Sequence, residues 1–315
     1  MAEFTPMMQQ YLQTKEEYKD CILFYRLGDF YEMFFEDAEL VSKELELTLT
    51  GKNCGMEERA PMCGIPYHAV EGYLNKLVAN GHKVAICEQV EDPKLAKGLV
   101  RREVIRIVTP GTNLDMQALD ESKNNYIMCI VYLADRYGVS IADVSTGDYY
   151  VTEVDSERKL FDEITKFSPS EIICNESFYM SGVDIEDLRH RLKITIYALE
   201  TWYFGDELAE TTLLTHFKVK SLEALGLADY DCGMIAAGAL LKYLYETQKN
   251  DLNNISVIHP YSTGKYMIID SSTRRNLELV ETLREKQKRG SLLWVLDKTK
   301  TAMGARPVSY THLTL

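Results

Sequence analysis

Long apolar runs are missing from this sequence of 315 residues. A membrane-spanning helix needs about 20 predominantly apolar residues in succession, and no stretch of the chain approaches that length. The N-terminal segment 1–6 also lacks the basic and then apolar pattern of a secretory signal peptide. We therefore expect a cytoplasmic protein.

Paired cysteine and histidine motifs are missing as well. The seven cysteines are odd in number, scattered along the chain and without any C-x-x-C pair, so neither a disulfide framework nor a zinc site is expected. The six histidines show no H-E-x-x-H spacing. These absences predict reduced, mostly buried thiols, no bound metal and no cofactor in this chain.

Motifs for catalysis are equally scarce. Gly264-Lys265 is followed by Tyr266 and lacks the earlier glycine, so it fails the G-x-x-x-x-G-K-[ST] pattern of a nucleotide-binding loop. Asp143 and Asp148 could hold a metal ion in a nuclease, but carboxylates that flank a Ser-Thr-Gly segment more often cap turns. We expect no catalytic residues and no enzymatic activity.

Positive charge is in short supply overall, and its distribution is uneven. The formal net charge is −13, which taken alone disfavours a polyanionic partner, because DNA binding needs clustered cations. The regional charges are −7 over 1–120, −11 over 121–264 and +5 over 265–315, and five basic residues against one acid lie in 94–106. This basic segment, with Lys52 and Lys76, could contact phosphates, and a solvated charged surface is an equally good interpretation.

Hydrophobic patterning indicates a mixed α/β chain. Thr5 as N-cap and Pro6 at the first helical position predict a helix start, and the Gly28-Asp29 turn closes a strand at 21–26. Segment 64–69 is interpreted as a rigid turn that leads into a helix. The remaining predicted elements are helices at 36–47, 69–80, 157–167, 231–248 and 272–288, and strands at 83–87, 104–108, 126–133, 139–143, 148–154, 171–174 and 193–197, with a turn at 135–138.

The aromatic run at 30–35 is the most unusual segment. In an extended strand Phe30, Glu32 and Phe34 share one face, whereas on a helix Phe30 and Glu32 would point apart. An exposed aromatic ring beside an acceptor could wedge between base steps while the polar group tests a base edge. The residue types alone favour a plainer interpretation, a core strand whose glutamate points to solvent.

Several ordered motifs together resemble one known family, the MutS proteins that recognise DNA mismatches. Five of them are TPMMQQY at 5–11, FYRLGDFYEMF at 24–34, GIPYHA at 64–69, AICEQ at 85–89 and RIVTPGT at 106–112. The likeness continues in DVSTG at 143–147 and LWVLDKTKTAMGAR at 293–306, so it covers nearly the whole chain.

The resemblance implies a succession of domains. It places a mixed-sheet mismatch-recognition domain at 1–115, a linker at 116–124, an RNase H-like α/β connector domain at 125–245 and the start of an α-helical core or lever domain at 246–306. Residues 307–315 depart from the family pattern and are predicted to be a non-native tail. The clamp and ATPase regions of the family, with its ATP and magnesium, are expected to be missing from this chain.

The resemblance also implies a site and partners. Phe30 would stack on a mispaired base and Glu32 would hydrogen-bond that base while the duplex kinks. Glu32 can donate such a bond only when protonated, and a surrounding polyanion favours protonation, so we hypothesise a donor role in the bound state. The residues expected to contact the DNA backbone are Lys52, Lys76, Lys97, Arg101 and Arg102.

The implied partners are mismatched double-stranded DNA, MutL and the second subunit of a homodimer, with association to the bacterial nucleoid when the protein is on DNA. A different class of function remains open. The acidic connector resembles a MutL-binding region, so the chain could be a protein-interaction module with only weak DNA binding. Nuclease activity is a third possibility, and it rests only on the connector fold and its scattered aspartates.

Overall fold

The structure is a computed structural model that describes residues 4–91, 98–114, 124–263, 269 and 271–301. The chain divides into two compact units, 1–115 together with 245–250, and 116–244 together with 251–315. Over the described ranges, no helix combines the length and the apolar character that crossing a membrane would require.

The first unit is built around one six-stranded mixed sheet. Its strands are β1 (Ile22–Leu27), β2 (Phe30–Phe34), β3 (Thr50–Lys52), β4 (Ala60–Pro66), β5 (Val84–Gln89) and β6 (Arg102–Val108), and its helices are α1 (Pro6–Glu17), α2 (Phe35–Glu44) and α3 (Val70–Ala79). The strand order is β3-β4-β2-β1-β5-β6. All neighbouring strands are antiparallel except β1 and β5, which are parallel.

Helices cover the two faces of this sheet differently. Tyr11 of α1 packs against Tyr25 and Phe34 on one face. Its ring centroid lies 5.3 Å from that of Tyr25 and 4.8 Å from that of Phe34. We call this the α1 face. Helices α2 and α3 bury their apolar residues, Leu74 and Leu77 among them, against the other face together with Phe24, Tyr31 and Met33.

Local sequence signals explain where α1 and the first hairpin begin. Thr5 accepts a hydrogen bond from the Met8 backbone amide at 3.4 Å, and Pro6 occupies the first turn, so the predicted helix start is confirmed. Gly28 in the β1–β2 turn has a φ of +59°, in the left-handed region that glycine tolerates without steric cost. The two-residue turn aligns Leu27 opposite Phe30.

The second unit contains another six-stranded sheet. Its strands are β7 (Ile127–Leu133), β8 (Arg136–Asp143), β9 (Asp148–Val154), β10 (Glu171–Cys174), β11 (Thr195–Ala198) and β12 (His259–Pro260). The helices are α4 (Glu157–Phe167), α5 (Glu176–Tyr179), α6 (Ile185–His190), α7 (Asp206–Phe217), α8 (Cys232–Gln248), α9 (Ser271–Asn276) and α10 (Leu292–Leu296).

The order of this sheet is β11-β10-β7-β8-β9-β12. Strands β7, β8 and β9 form an antiparallel meander, and β10 and then β11 add in parallel on the β7 side. A mixed α/β sheet of this kind confirms the expected fold class, and the strand order is that of the RNase H-like fold that the resemblance implies. Helix α8 lies against the sheet, where Tyr149 donates a hydrogen bond to the Ala237 carbonyl and Tyr243 donates one to Glu171.

The predicted helix at 272–288 is wrong beyond its first turns. Helix α9 ends at Asn276, and Glu278 and Lys286 adopt positive φ values of 46° and 50° that interrupt a helix. Leu277 and Leu283 are exposed. Helical composition alone rarely stabilises a helix unless an apolar face is buried, so the segment forms turns.

Two smaller predictions also need correction. Within segment 64–69, residues 64–66 are the last residues of strand β4, and only 67–69 forms the tight helical turn that leads into α3. The expected turn at 135–138 is shorter, because β8 already begins at Arg136. Strand β4 extends to Pro66 because it pairs with β2, and β8 begins at Arg136 because it pairs with β7. The glycine and proline at 64 and 66 favoured a turn over the end of β4.

Candidate nucleic-acid interface

The side chain of Phe30 is exposed although it belongs to a central part of the sheet. It is the first residue of β2, lies opposite Pro66 of β4, and is 46% exposed. Phe34 projects from the same face four residues later and is buried beneath Tyr11 of α1. Strand β2 therefore starts at an open end, where one aromatic ring is left uncovered, and runs into the core under α1.

The shared face predicted for this strand is confirmed, whereas the core-strand interpretation is wrong for its first residue. Glu32 lies between the exposed and the buried phenylalanine, and its side chain is only 16% exposed. The aromatic ring points toward solvent and the glutamate is largely covered, which reverses the expectation from polarity.

Lys52 forms an ion pair with the Glu32 carboxylate and covers it. Its Nζ donates to Glu32 Oε2 at 2.5 Å, and the same Nζ lies 5.6 Å from the centre of the Phe34 ring. Lys52 is the last residue of β3, paired with Ala60 of β4, so its side chain crosses β4 to reach β2. The register places both ionic groups on the α1 face.

Gly64 provides the space beside these side chains. It lies opposite Glu32 in the β2–β4 register. A Cβ atom built at this position would be 3.6 Å from Glu32 Cγ and 3.9 Å from Phe30 Cδ1. These are ordinary van der Waals distances, so a methyl group would contact both side chains, and glycine leaves that space open.

A second cation, Arg102, is held on the same face by internal contacts. Its Nη1 donates to Gln10 Oε1 at 3.0 Å and its Nε to the Arg26 carbonyl at 2.8 Å. The guanidinium lies 5.2 Å from the ring centre of Tyr25, whose hydroxyl also donates to Gln10. Burial raises the pKa of Tyr25 to about 12 although Arg102 opposes the shift. Arg102 thus has a structural role whether or not it meets DNA.

The other predicted backbone contacts are dispersed. Arg101 is exposed and pairs with Glu103 at 3.3 Å. Lys76 is exposed on α3, which packs on the face opposite Phe30, so the fold does not bring it next to the aromatic ring. Lys97 lies outside the described residues. Contact of these side chains with phosphate stays a prediction.

The sequence reasoning did not single out Arg26 and Tyr67. The Arg26 guanidinium lies 3.9 Å from the centre of the Tyr67 ring, and the Tyr67 amide donates to the Asp29 carbonyl at 2.9 Å. These contacts tie the β1–β2 turn to the end of β4, and Tyr67 is itself exposed. The sequence could have pointed to these two residues, because Arg26 lies in the family-like motif at 24–34 and Tyr67 in the one at 64–69.

Asp143 and Asp148 in the second unit are both held by hydrogen bonds within the protein. Asp143 is buried and accepts hydrogen bonds from the backbone amides of Asn125 and Ser145, at 3.1 and 2.8 Å, and from the Ser145 hydroxyl. Asp148 accepts from Asn124 at 3.1 Å. The expected turn-capping role of Asp143 is confirmed. Within the part of the chain that the structure describes, no group of three or more metal-ligating side chains comes together.

Fold and site together describe a chain of two mixed α/β units. The first unit presents an exposed aromatic ring beside a lysine-paired carboxylate, and the second, later in the sequence, has the RNase H-like strand order. Family models match three successive parts of the chain: MutS domain I at 5–117, MutS domain II at 125–256 and MutS domain III at 272–309. The chain belongs to the MutS family.

Similar proteins agree with this assignment. The chain is 69% identical to the DNA mismatch repair protein MutS of Lachnoclostridium phytofermentans over 306 residues, which is 97% of this chain and 33% of that protein. It is 53% and 54% identical to the proteins of the same name from Ruminiclostridium cellulolyticum and Acetivibrio thermocellus, covering 97% of this chain and 35% of each relative. The chain thus spans about a third of the length of these relatives.

The family matches also bear on the predicted tail. The domain III match reaches residue 309, three residues into the segment 307–315 that was predicted to be non-native. That segment lies outside the described residues, and its origin stays a prediction.

Proposed function

We propose that this chain recognises mispaired or unpaired bases in duplex DNA by inserting Phe30 as a wedge, and that this recognition initiates mismatch repair. The observation that supports the proposal is the 46% exposure of Phe30 at the open end of β2. Fully exposing a phenylalanine forgoes roughly 1.5–3 kcal/mol of burial, so an uncovered ring on an otherwise well packed sheet favours a binding role.

Deformability supplies the selectivity in this proposal. Inserting an apolar wedge costs a few kcal/mol of unstacking for each base step and kinks the duplex. A mispaired step has already lost part of its pairing and stacking free energy, so the same insertion costs less there. Discrimination then needs no reading of the flanking sequence, which suits a protein that must find errors in any context.

Glu32 has a defined place in this mechanism. Its carboxylate lies on the same strand face as Phe30, two residues away, and accepts a hydrogen bond from Lys52. To accept from a base donor it can keep its charge, whereas to donate to a base acceptor it must gain a proton. We retain the donor role in the bound state as part of the proposal, with Gln as the substitution that mimics a permanent donor.

The experiment compares two exposed aromatics. The chain is titrated against a duplex with one mismatch and the same duplex fully paired, in wild type, Phe30→Ala and Trp202→Ala. Trp202 in the second unit is also 46% exposed, so it controls for the loss of an exposed ring. Phe30→Ala is expected to abolish the preference for the mismatch, and Trp202→Ala to preserve it. Equal preference in wild type and Phe30→Ala would refute the wedge.

Other properties of full-length MutS proteins enter only as proposals. We assign ATP and magnesium binding, and pairing with a second subunit, to the whole protein and to none of the described residues. Nucleoid association would follow from DNA binding. A cytoplasmic location is the corresponding proposal for this chain.

An alternative function is a MutL-binding connector. Leu133, Tyr179 and Met180 are exposed apolar residues around the end of β7 and the adjoining helix α5, and the Asn175 side chain ties that helix to the backbone of Tyr132. Exposed apolar clusters mark interaction surfaces. Binding of MutL by a chain that shows no affinity for either duplex, with loss of that binding in Met180→Asp, would favour this alternative.

A further inference from the structure

We infer that Lys52 is a positioning residue for Glu32, rather than only a contact for the DNA backbone. This inference rests on the proposed function, since it concerns the carboxylate beside the wedge. Lys52 would hold the Glu32 carboxylate next to Phe30 before DNA arrives, so that the base-testing group is already in place when the ring inserts.

The Lys52 and Glu32 side chains form an ion pair that spans three strands of the sheet. Lys52 extends from β3 across β4, and its ammonium reaches the Glu32 carboxylate on β2 at 2.5 Å. The lysine side chain is 32% exposed and the glutamate 16%, so the pair is partly shielded from solvent. Shielding strengthens an ion pair relative to fully exposed ones, which contribute little.

The surroundings of Glu32 give it little other restraint. Gly64 faces it across the β2–β4 register and offers no side chain. Tyr25 faces it from β1, but the Tyr25 hydroxyl donates to Gln10. In the described ranges, the ammonium of Lys52 is therefore the group that fixes the direction of the carboxylate. Without it the glutamate would have to be ordered during binding, and ordering a flexible side chain lowers affinity.

The same ammonium can serve two anions. A lysine has three N–H donors, and one of them is directed to Glu32. The remaining donors can meet a phosphate when a duplex lies along the sheet. The positioning role and the predicted backbone contact are thus compatible, but they differ in what removal of the amine does to selectivity.

The experiment is a double-mutant cycle on selectivity. The ratio of mismatched to matched affinity is measured for wild type, Lys52→Met, Glu32→Ala and the double variant, with Lys52→Arg as the conservative replacement and Arg101→Met as a control for lost positive charge. Circular dichroism checks that each variant is folded. We expect Lys52→Met to lower the ratio at least about threefold, Lys52→Arg to restore most of it, and Arg101→Met to leave it unchanged. Lys52→Met should have no further effect on the ratio in the Glu32→Ala background, where the acceptor that Lys52 positions is gone.

Two results would overturn the inference. If Lys52→Met weakens mismatched and matched binding by the same factor, as expected of Arg101→Met, the amine is a backbone contact only. If its effect on the ratio is equally large with and without Glu32, the two residues are not coupled. A wild-type chain with no mismatch preference would instead refute the proposed function itself, and the inference with it, so the two failures are distinguishable.

Discussion

At the scale of single residues, burial controls the chemistry of the cysteines. All seven are free and buried, as the sequence predicted. Desolvation raises the pKa of Cys63 to about 11, and of Cys21, Cys87, Cys174 and Cys232 to about 12. The thiolate is the nucleophile, and a raised pKa reduces the thiolate fraction at any pH below it, so these side chains should be inert in the folded protein.

A thiol-labelling experiment tests this. At pH 8 we expect a disulfide reagent such as DTNB to label the native chain very slowly, because burial limits both access and ionisation. In guanidinium chloride all seven cysteines should react. Rapid labelling of native protein would show that some thiol is accessible, and mass spectrometry would identify it.

At the scale of elements, two helical glycines have opposite roles. Gly72 lies in α3, and a Cβ atom added there meets nothing within 4 Å. Gly238 lies in α8, where an added Cβ atom would be 2.3 Å from the Cα atom of Ala209 in α7. The first glycine only weakens its helix, whereas the second lets two helices approach closely.

The matched substitutions Gly72→Ala and Gly238→Ala separate these roles. Gly72→Ala should raise the free energy of unfolding by roughly 0.5–1 kcal/mol, the helical advantage of alanine over glycine. Gly238→Ala should lower it by about 1–3 kcal/mol, because α7 and α8 must move apart to admit the methyl group. Chemical denaturation monitored by circular dichroism measures both. A stabilising Gly238→Ala would contradict the close packing.

At the scale of the whole molecule, the net charge of −13 is an average over unlike regions. Acidic residues predominate in 121–264, while the first unit places Lys52 and Arg102 on the same sheet face as Phe30. Lys52 is paired with Glu32, and Arg102 donates hydrogen bonds to Gln10 and to the Arg26 carbonyl. We expect weak binding to matched DNA, which would let a deformable mispair stand out.

Salt dependence tests the electrostatic part. Each phosphate contact contributes about −0.9 to the slope of log affinity against log salt concentration. Arg101→Met should therefore flatten the slope by about 1 for matched and mismatched duplexes alike. Phe30→Ala should leave the slope unchanged while it removes the mismatch preference. If Arg101→Met leaves the slope unaltered, Arg101 does not contact phosphate.

Much of the fold could be predicted from local signals. Helix α4 and strand β10 match their predicted bounds, because a strong apolar period and clear turn residues delimit them. The short strand β3 was not predicted at all. It is three residues long and is stabilised by pairing with β4, a contact that no local pattern encodes.

The sequence by itself determined the family, the two α/β units, the buried thiols and the shared face of Phe30, Glu32 and Phe34, since these depend on residue type and on a strand period of two. Tertiary structure decided which members of that face are covered. Helix α1 buries Phe34 and stops short of Phe30, and Lys52 reaches Glu32 from a strand two positions away in the sheet. Exposure and ion pairing depend on residues that are distant in the chain and adjacent only after folding, so polarity alone assigned the phenylalanine to the core and the glutamate to solvent.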